Sequence, residues 1–171
     1  FLKVVLEKMK SSENSLNILF IGLFCFENFP YTCLKNFIEK NYGVKMQDIA
    51  KTDIKKGKFV VKTKDGRSIE KKVKEFDECV PESCRLCTNF TAESADISVG
   101  GVGSEAGWSA VIVRSEKGLE LLEKAVEQGY IEVNEKIDIT QIKKNVSLKQ
   151  DMRKAASEKR AKEGRYVPVY E

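Results

Sequence analysis

The sequence predicts an α/β protein: a compact, mixed or largely antiparallel sheet with flanking helices and a C-terminal helical extension. Three observations carry this reading. Residues 16–24, 58–64 and 67–73 form short apolar or alternating runs of strand length. After Pro30, and again after Ser115, apolar residues recur at helical spacing between residues that start and stop helices. From Asp138 onward the pattern stays helical while its apolar content falls. A chain of 171 residues, 42% of them apolar, has enough material for one core.

Taken in order, residues 1–12 read as an amphipathic helix with Leu2, Val5, Leu6 and Met9 on one face. The apolar run at 16–24 is compact and followed by a turn-like Asn28-Phe29-Pro30, so it reads as a buried strand. Pro30 suits the first turn of a helix with Leu34, Phe37, Ile38 and Asn41 or Tyr42 on one side, and Gly43 falls just past its end. Asp65-Gly66 joins two alternating runs and signals a tight hairpin, giving a two-stranded antiparallel ribbon. Residues 95–99 and 108–113 read as strands around a glycine loop. Ser115 then caps a helix whose core face is Leu119, Leu122 and Val126, closed by Gly129. Residues 130–133 fit a last strand, residues 138–164 a polar helix, and residues 167–170 an extended tail. The division expected from this is a main domain over 1–137 and a polar helical extension over 138–171.

Thirty basic residues are set against 26 acidic ones, for a formal net charge of +4, and there is no histidine. The late basic segment includes Lys143, Lys149, Arg153, Lys154, Lys159, Arg160 and Lys162. It has no interleaved aromatic residues for base stacking, so it reads as a solvated helix face or a docking surface for an acidic partner, not a nucleic-acid site. The longest apolar stretch, residues 18–26, is about half of what a membrane span requires. An odd number of cysteines suits a reducing cytoplasm better than a disulfide framework.

The five cysteines, Cys25, Cys33, Cys79, Cys84 and Cys87, all lie within residues 25–87. Cys84 and Cys87 form a CxxC pair that lets two thiolates of one short loop reach one metal. Cys33 falls within the helix after Pro30, where it serves as a small core residue. Adding Cys79 gives C-x4-C-x2-C, the spacing of plant-type two-iron ferredoxins. Spacing alone leaves an iron–sulfur site and a four-cysteine zinc site both open, the latter built from Cys25 or Cys33 with Cys79, Cys84 and Cys87. The run Ser98-Val99-Gly100-Gly101-Val102-Gly103-Ser104 is not a dinucleotide fingerprint, and on spacing alone it reads as a turn between strands.

From Cys84 the chain continues Arg85-Leu86-Cys87-Thr88-Asn89-Phe90-Thr91 and through the glycine run to Gly107-Trp108-Ser109 and Val111-Ile112-Val113-Arg114. Together with Ile21-Gly22-Leu23-Phe24-Cys25, Glu27-Asn28-Phe29, Asp53-Ile54-Lys55-Lys56-Gly57-Lys58-Phe59 and Gly129-Tyr130-Ile131, this resembles the C-terminal part of the coenzyme F420 hydrogenase/dehydrogenase beta-subunit family. The resemblance covers most of the chain before residue 135. It implies a flavoprotein that exchanges hydride with a 5-deazaflavin, coenzyme F420, and passes single electrons through a 4Fe-4S cluster.

Under the resemblance Cys25, Cys84 and Cys87 are cluster ligands, and the fourth comes from an upstream segment in which a cysteine follows Gly-Thr-Pro. A chain that opens at Phe1 is then expected to be the C-terminal portion of a longer polypeptide. Ser98, Gly100, Gly101, Gly103 and Ser104 are expected to line the FAD or deazaflavin pocket, with Trp108 either as a wall of it or as core. Lys56 and Lys58 are candidate anchors for a phosphate or the acidic tail of the deazaflavin, or else a solvated turn. The implied setting is an archaeal, cytoplasmic complex with a redox partner of hydrogenase, formate dehydrogenase or sulfite-reducing type. No side-chain base or nucleophile is implied, because the cofactors carry the chemistry. Two other functions stand beside this one, a non-enzymatic electron-transfer or assembly module and a structural zinc-binding domain. Relatives in photosynthetic organisms that reduce chlorophyll precursors offer a change of substrate.

Overall fold

A computed structural model describes residues 18–55 and 57–168. The described residues divide into two compact units, one formed by residues 18–26 and 88–168 and the other by Glu27–Cys87. The helix expected over residues 1–12 and the end of the tail, Val169 and Tyr170, lie outside the described residues.

In the first unit a three-stranded sheet has the order β1-β5-β6, formed by β1 (Ile21–Leu23), β5 (Ile97–Gly100) and β6 (Ala110–Val113). β1 runs parallel to β5, pairing Leu23 with Val99, and β6 runs antiparallel, pairing Gly100 with Ala110. Both β1 and β5 therefore end at the same edge of the sheet. β1 is a strand, but not the buried one expected: Ile21 and Leu23 are 59% and 71% exposed. The reason is that its inward position is Gly22, where an added Cβ would lie 2.3 Å from that of Ala92.

Helix α3 (Glu116–Glu127) follows β6, and the Ser115 hydroxyl caps it by accepting from Gly118 N at 3.1 Å. Its buried face differs from the expected one. Gly118 is buried and Leu122 half-buried, whereas Leu119 and Val126 are exposed. A Cβ on Gly118 would lie 2.9 Å from Asp96 O, so backbone approaches β5 here and rotates the face by about one residue. Residues 130–133 form no strand; Tyr130 and Val133 are 78% and 60% exposed. Helix α4 (Ile139–Lys162) begins at Asp138, whose side chain accepts from Gln141 N at 3.0 Å. No helix among the described residues is long and apolar enough to cross a membrane.

The second unit contains α1 (Tyr31–Tyr42), β2 (Ile49–Lys55), β3 (Lys58–Thr63), β4 (Ser68–Lys72) and the short α2 (Glu82–Leu86). The hairpin at Asp65-Gly66 forms as expected, but the sheet is three-stranded, because β2 pairs antiparallel with the other side of β3. As the central strand, β3 buries Phe59, Val60 and Val61 in succession instead of alternating. The core is Ile38, Val44, Phe59, Val61 and Phe76, with Phe29, Leu34, Phe37 and Tyr42 packed around it. Phe76 is fully buried, its ring 4.4 Å from Phe59 and 4.7 Å from Phe37.

Candidate functional site

Cys33 and Cys79 form a disulfide that closes a separation of 46 residues, tying α1 to the segment before α2. This corrects the expectation that the chain carries no disulfide. It also removes Cys79 from both the C-x4-C-x2-C reading and the four-cysteine zinc reading, since a sulfur committed to a disulfide is not a thiolate ligand. Cys25, Cys84 and Cys87 are the three cysteines outside it.

Cys84 sits in α2, and Cys87 caps the end of that helix, donating its N–H to Ser83 O at 3.1 Å and Cys84 O at 3.3 Å. One turn separates the two, the spacing that puts neighbouring side chains on one side of a helix. Both are half-buried. The donor set fits an iron–sulfur cluster in kind, with soft thiols and no imidazole. Among the described residues no three cysteine, aspartate or glutamate side chains are gathered into a group that could hold a metal ion.

Cys25 is exposed and lies two residues beyond β1. Its N–H donates to Phe90 O at 2.9 Å. Its carbonyl accepts from Lys149 Nζ at 2.6 Å, and the same ammonium donates to Asn89 O at 2.8 Å. One turn along α4, Arg153 Nη2 donates to Phe26 O at 3.2 Å and its guanidinium stands 5.9 Å from the Phe26 ring. Lys149 and Arg153 are only 2% and 4% exposed. The basic helix is thus not solvated on every side: these two cations, on the same face as the buried Ile142, satisfy backbone carbonyls around Cys25. The sequence offered one signal for this, the 142-149-153 spacing of a helix stripe, but lysine and arginine at two of its positions argue for solvent.

The glycine loop leaves β5 at the same end of the sheet where β1 delivers Cys25. Ser98 is fully buried within β5; its hydroxyl donates to Ala92 O at 3.3 Å and accepts from the Arg114 guanidinium. Arg114 also donates to Thr91 O and Oγ1, at 3.2 and 3.1 Å. Gly100 lies under Phe24, whose ring would be 2.3 Å from an added Cβ. Gly103 has φ +85°, and a Cβ there would be 2.7 Å from Asp138 O and 2.8 Å from Ile142. Its carbonyl accepts from Asp138 N at 2.7 Å, which docks the loop on the start of α4. Gly101 alone of the three opens onto empty space, with no atom within 4 Å of where its Cβ would be. The Ser104 hydroxyl lies 2.9 Å from Trp108 O and 3.1 Å from Gly101 O, closing the loop on itself, and Trp108 is 38% exposed. In the other unit Lys58 forms an exposed ion pair with Glu70 at 2.9 Å, and Lys56 lies outside the described residues.

Two small three-stranded sheets with flanking helices, one disulfide and three further cysteines define a mixed α/β chain. The family described as the C terminus of the coenzyme F420 hydrogenase/dehydrogenase beta subunit matches residues 4–139, and the chain belongs to it. It is 42% identical over 143 residues to the coenzyme F420 hydrogenase subunit beta of Methanococcus voltae, covering 84% of this chain and 50% of that protein. Over 150 residues it is 39% identical to the coenzyme F420-dependent sulfite reductase of Methanocaldococcus jannaschii, covering 88% of this chain and 23% of that protein. A chain in the xenon-derivatised F420-reducing [NiFe] hydrogenase complex from Methanosarcina barkeri superposes with a TM-score of 0.84 at 29% identity. That match covers 98% of this chain and 62% of the other. The chain spans about half the length of the curated F420 hydrogenase beta subunits it matches.

Proposed function

We propose that this chain is the C-terminal part of an oxidoreductase subunit that works with coenzyme F420 as its hydride carrier. One observation carries the reading: a hydrogenase subunit, a sulfite reductase and a formate dehydrogenase subunit each match 70% or more of this chain, and coenzyme F420 is what their names share. What a shared stretch supplies is then the F420 side of each enzyme, while the second substrate belongs to the rest of the complex. The expected partners are redox subunits of those types, and the apolar residues exposed along and after α3, Leu119, Leu121 and Tyr130, suit cover by further protein.

Cys25, Cys84 and Cys87 would hold three corners of a 4Fe-4S cluster, and a fourth donor would have to come from elsewhere in the full subunit. Gly101, with Ser104 and Trp108 in the same loop, would face FAD or the deazaflavin, because of Gly100, Gly101 and Gly103 it is the one whose backbone stands open for a ring or phosphate to lie against it. Gly100 and Gly103 would serve by holding the loop's shape, and Ser98 by anchoring its base. When bound, the flavin converts hydride into single electrons and the cluster carries them singly.

The test is made on the complete subunit, purified anaerobically. Cys84→Ser or Cys87→Ser should remove most iron and acid-labile sulfide, while Cys33→Ser should keep both. Gly101→Val should lower flavin content per folded molecule without loss of cluster absorbance. Stoichiometric zinc without sulfide would sink the redox reading, and full flavin occupancy in the valine variant would move the pocket elsewhere.

A further inference from the structure

The β1-β5-β6 sheet has one face that α3 covers only in part. α3 lies on the face that carries Ile97, since a Cβ on Gly118 would stand 3.0 Å from Ile97 Cγ1. By the pairing register the same face presents Ile21 and Leu23 from β1 and Val111 from β6. These three are 59%, 71% and 37% exposed, so the face stays apolar beyond the part that α3 shields. α3 has a matching apolar side. At about 100° per residue, Leu119 and Val126 fall within roughly 20° of each other and roughly 80° to one side of the inward line through Gly118, Leu122 and Ala125. They are 46% and 37% exposed, and their side of the helix looks along the sheet, where a second helix would lie.

The charge on α3 adds a sign to this surface. Glu116, Glu120, Glu123 and Glu127, all exposed, form a row roughly 80° further round, above the stripe of Leu119 and Val126. Lys117 and Lys124 fall beyond that row. Among the described residues only Glu120 of the four forms an ion pair, with Lys124 at 4.0 Å. An apolar stripe rimmed by one sign of charge is the complement of a helix with an apolar face and a basic edge.

We propose that the open part of this face is a docking surface for a basic amphipathic helix of a redox partner subunit, laid beside α3 with its cationic edge along the glutamate row. That the partner is a redox subunit rests on the proposed function; the chemistry of its helix rests on the sheet face and the four glutamates.

The experiment uses the complete subunit and two synthetic helices that share one leucine face, flanked by lysine in the first and by glutamate in the second. At low salt the lysine-flanked helix should bind about tenfold more tightly, and the gap should shrink as salt is added. Glu120→Lys, Glu123→Lys and Glu127→Lys together should invert the preference, while Leu119→Ser with Val126→Ser should weaken the binding of both helices. Equal binding of the two, or a preference that survives the charge reversal, would overturn the proposal. The occupant is tested with Leu119→Cys, its alkylation read by peptide mass: the new thiol should react in the subunit alone and be protected in the complex with the redox partner. Protection in the subunit alone would mean that its own chain covers the face, and full reactivity in the complex that no partner does; either result sinks the assignment. A subunit that does not work with coenzyme F420 would remove the proposed function, whereas the preference between the two helices would still judge the surface.

Discussion

The two units solve the problem of cohesion with different chemistry. Glu27–Cys87 is held by aromatic rings crowded on Phe76 and by a covalent link, Cys33 to Cys79. The unit containing β1, β5 and β6 buries Phe90, Ile97, Ala110 and Ile142 and adds polar groups to them: Ser98, Thr91, Lys149 and Arg153 all lie inside it. An apolar core loses stability in proportion to the volume removed, whereas a polar one loses it when a single partner is taken away. Polar interiors also constrain geometry more, because each group must find a partner at a fixed distance and angle. The candidate ligand Cys25 and the glycine loop both belong to the polar unit, where the backbone is pinned bond by bond.

The contrast can be broken first at Phe76. Phe76→Ala should destabilise the protein by about 3–5 kcal/mol, measured by chemical unfolding, because a fully buried ring with four aromatic neighbours leaves a cavity that cannot collapse. Next, Cys79→Ser should cost about 2–4 kcal/mol under oxidising conditions. Most of that difference should vanish when both proteins are measured with reductant, which separates the link from the packing of the side chain. Ser98→Ala removes one atom yet should cost about 1–2 kcal/mol, since the Arg114 guanidinium loses an acceptor inside the unit. A neutral result there would show that the polar unit is held by its apolar contacts after all.

The smallest effect concerns pH. The Thr63 hydroxyl, then the backbone and side chain of Arg67, hold the exposed Asp65 carboxyl below its ordinary value of 3.8. A depressed carboxylate contributes stability above its unfolded value and loses it as pH falls through the folded one. Unfolding midpoints should therefore decline slightly below about pH 4, and Asp65→Asn should flatten that decline.

Much of the fold could be read from the chain, for local reasons. Pro30 and Gly43 bracket α1, Asp65-Gly66 makes the hairpin, and Ser115 and Asp138 cap α3 and α4 through their own side chains. What could not be read depended on distant partners. β2 looks polar because it is a sheet edge, and residues 130–133 have strand composition but join neither sheet. The α3 face shifted because Gly118, silent in a periodicity argument, lets backbone meet backbone. At the site, the CxxC spacing was visible, but the Cys33–Cys79 link required proximity that no spacing reveals. Lys149 and Arg153 were hidden by their own chemistry, since a basic helix reads as solvated until the carbonyls beneath it are known.

The parallel pairing of β1 with β5 acts as a ruler. Each residue along a strand advances about 3.3 Å. A slip of two residues would keep every side chain on its proper face and still carry Cys25 about 7 Å along the sheet edge from the glycine loop. Phe24 over Gly100 is the stop that prevents the slip, because the ring needs a residue without a Cβ beneath it while Phe24 N–H stays bonded to Val99 O. A methyl group added at Gly100 would press on this stop and shift the thiol without touching it.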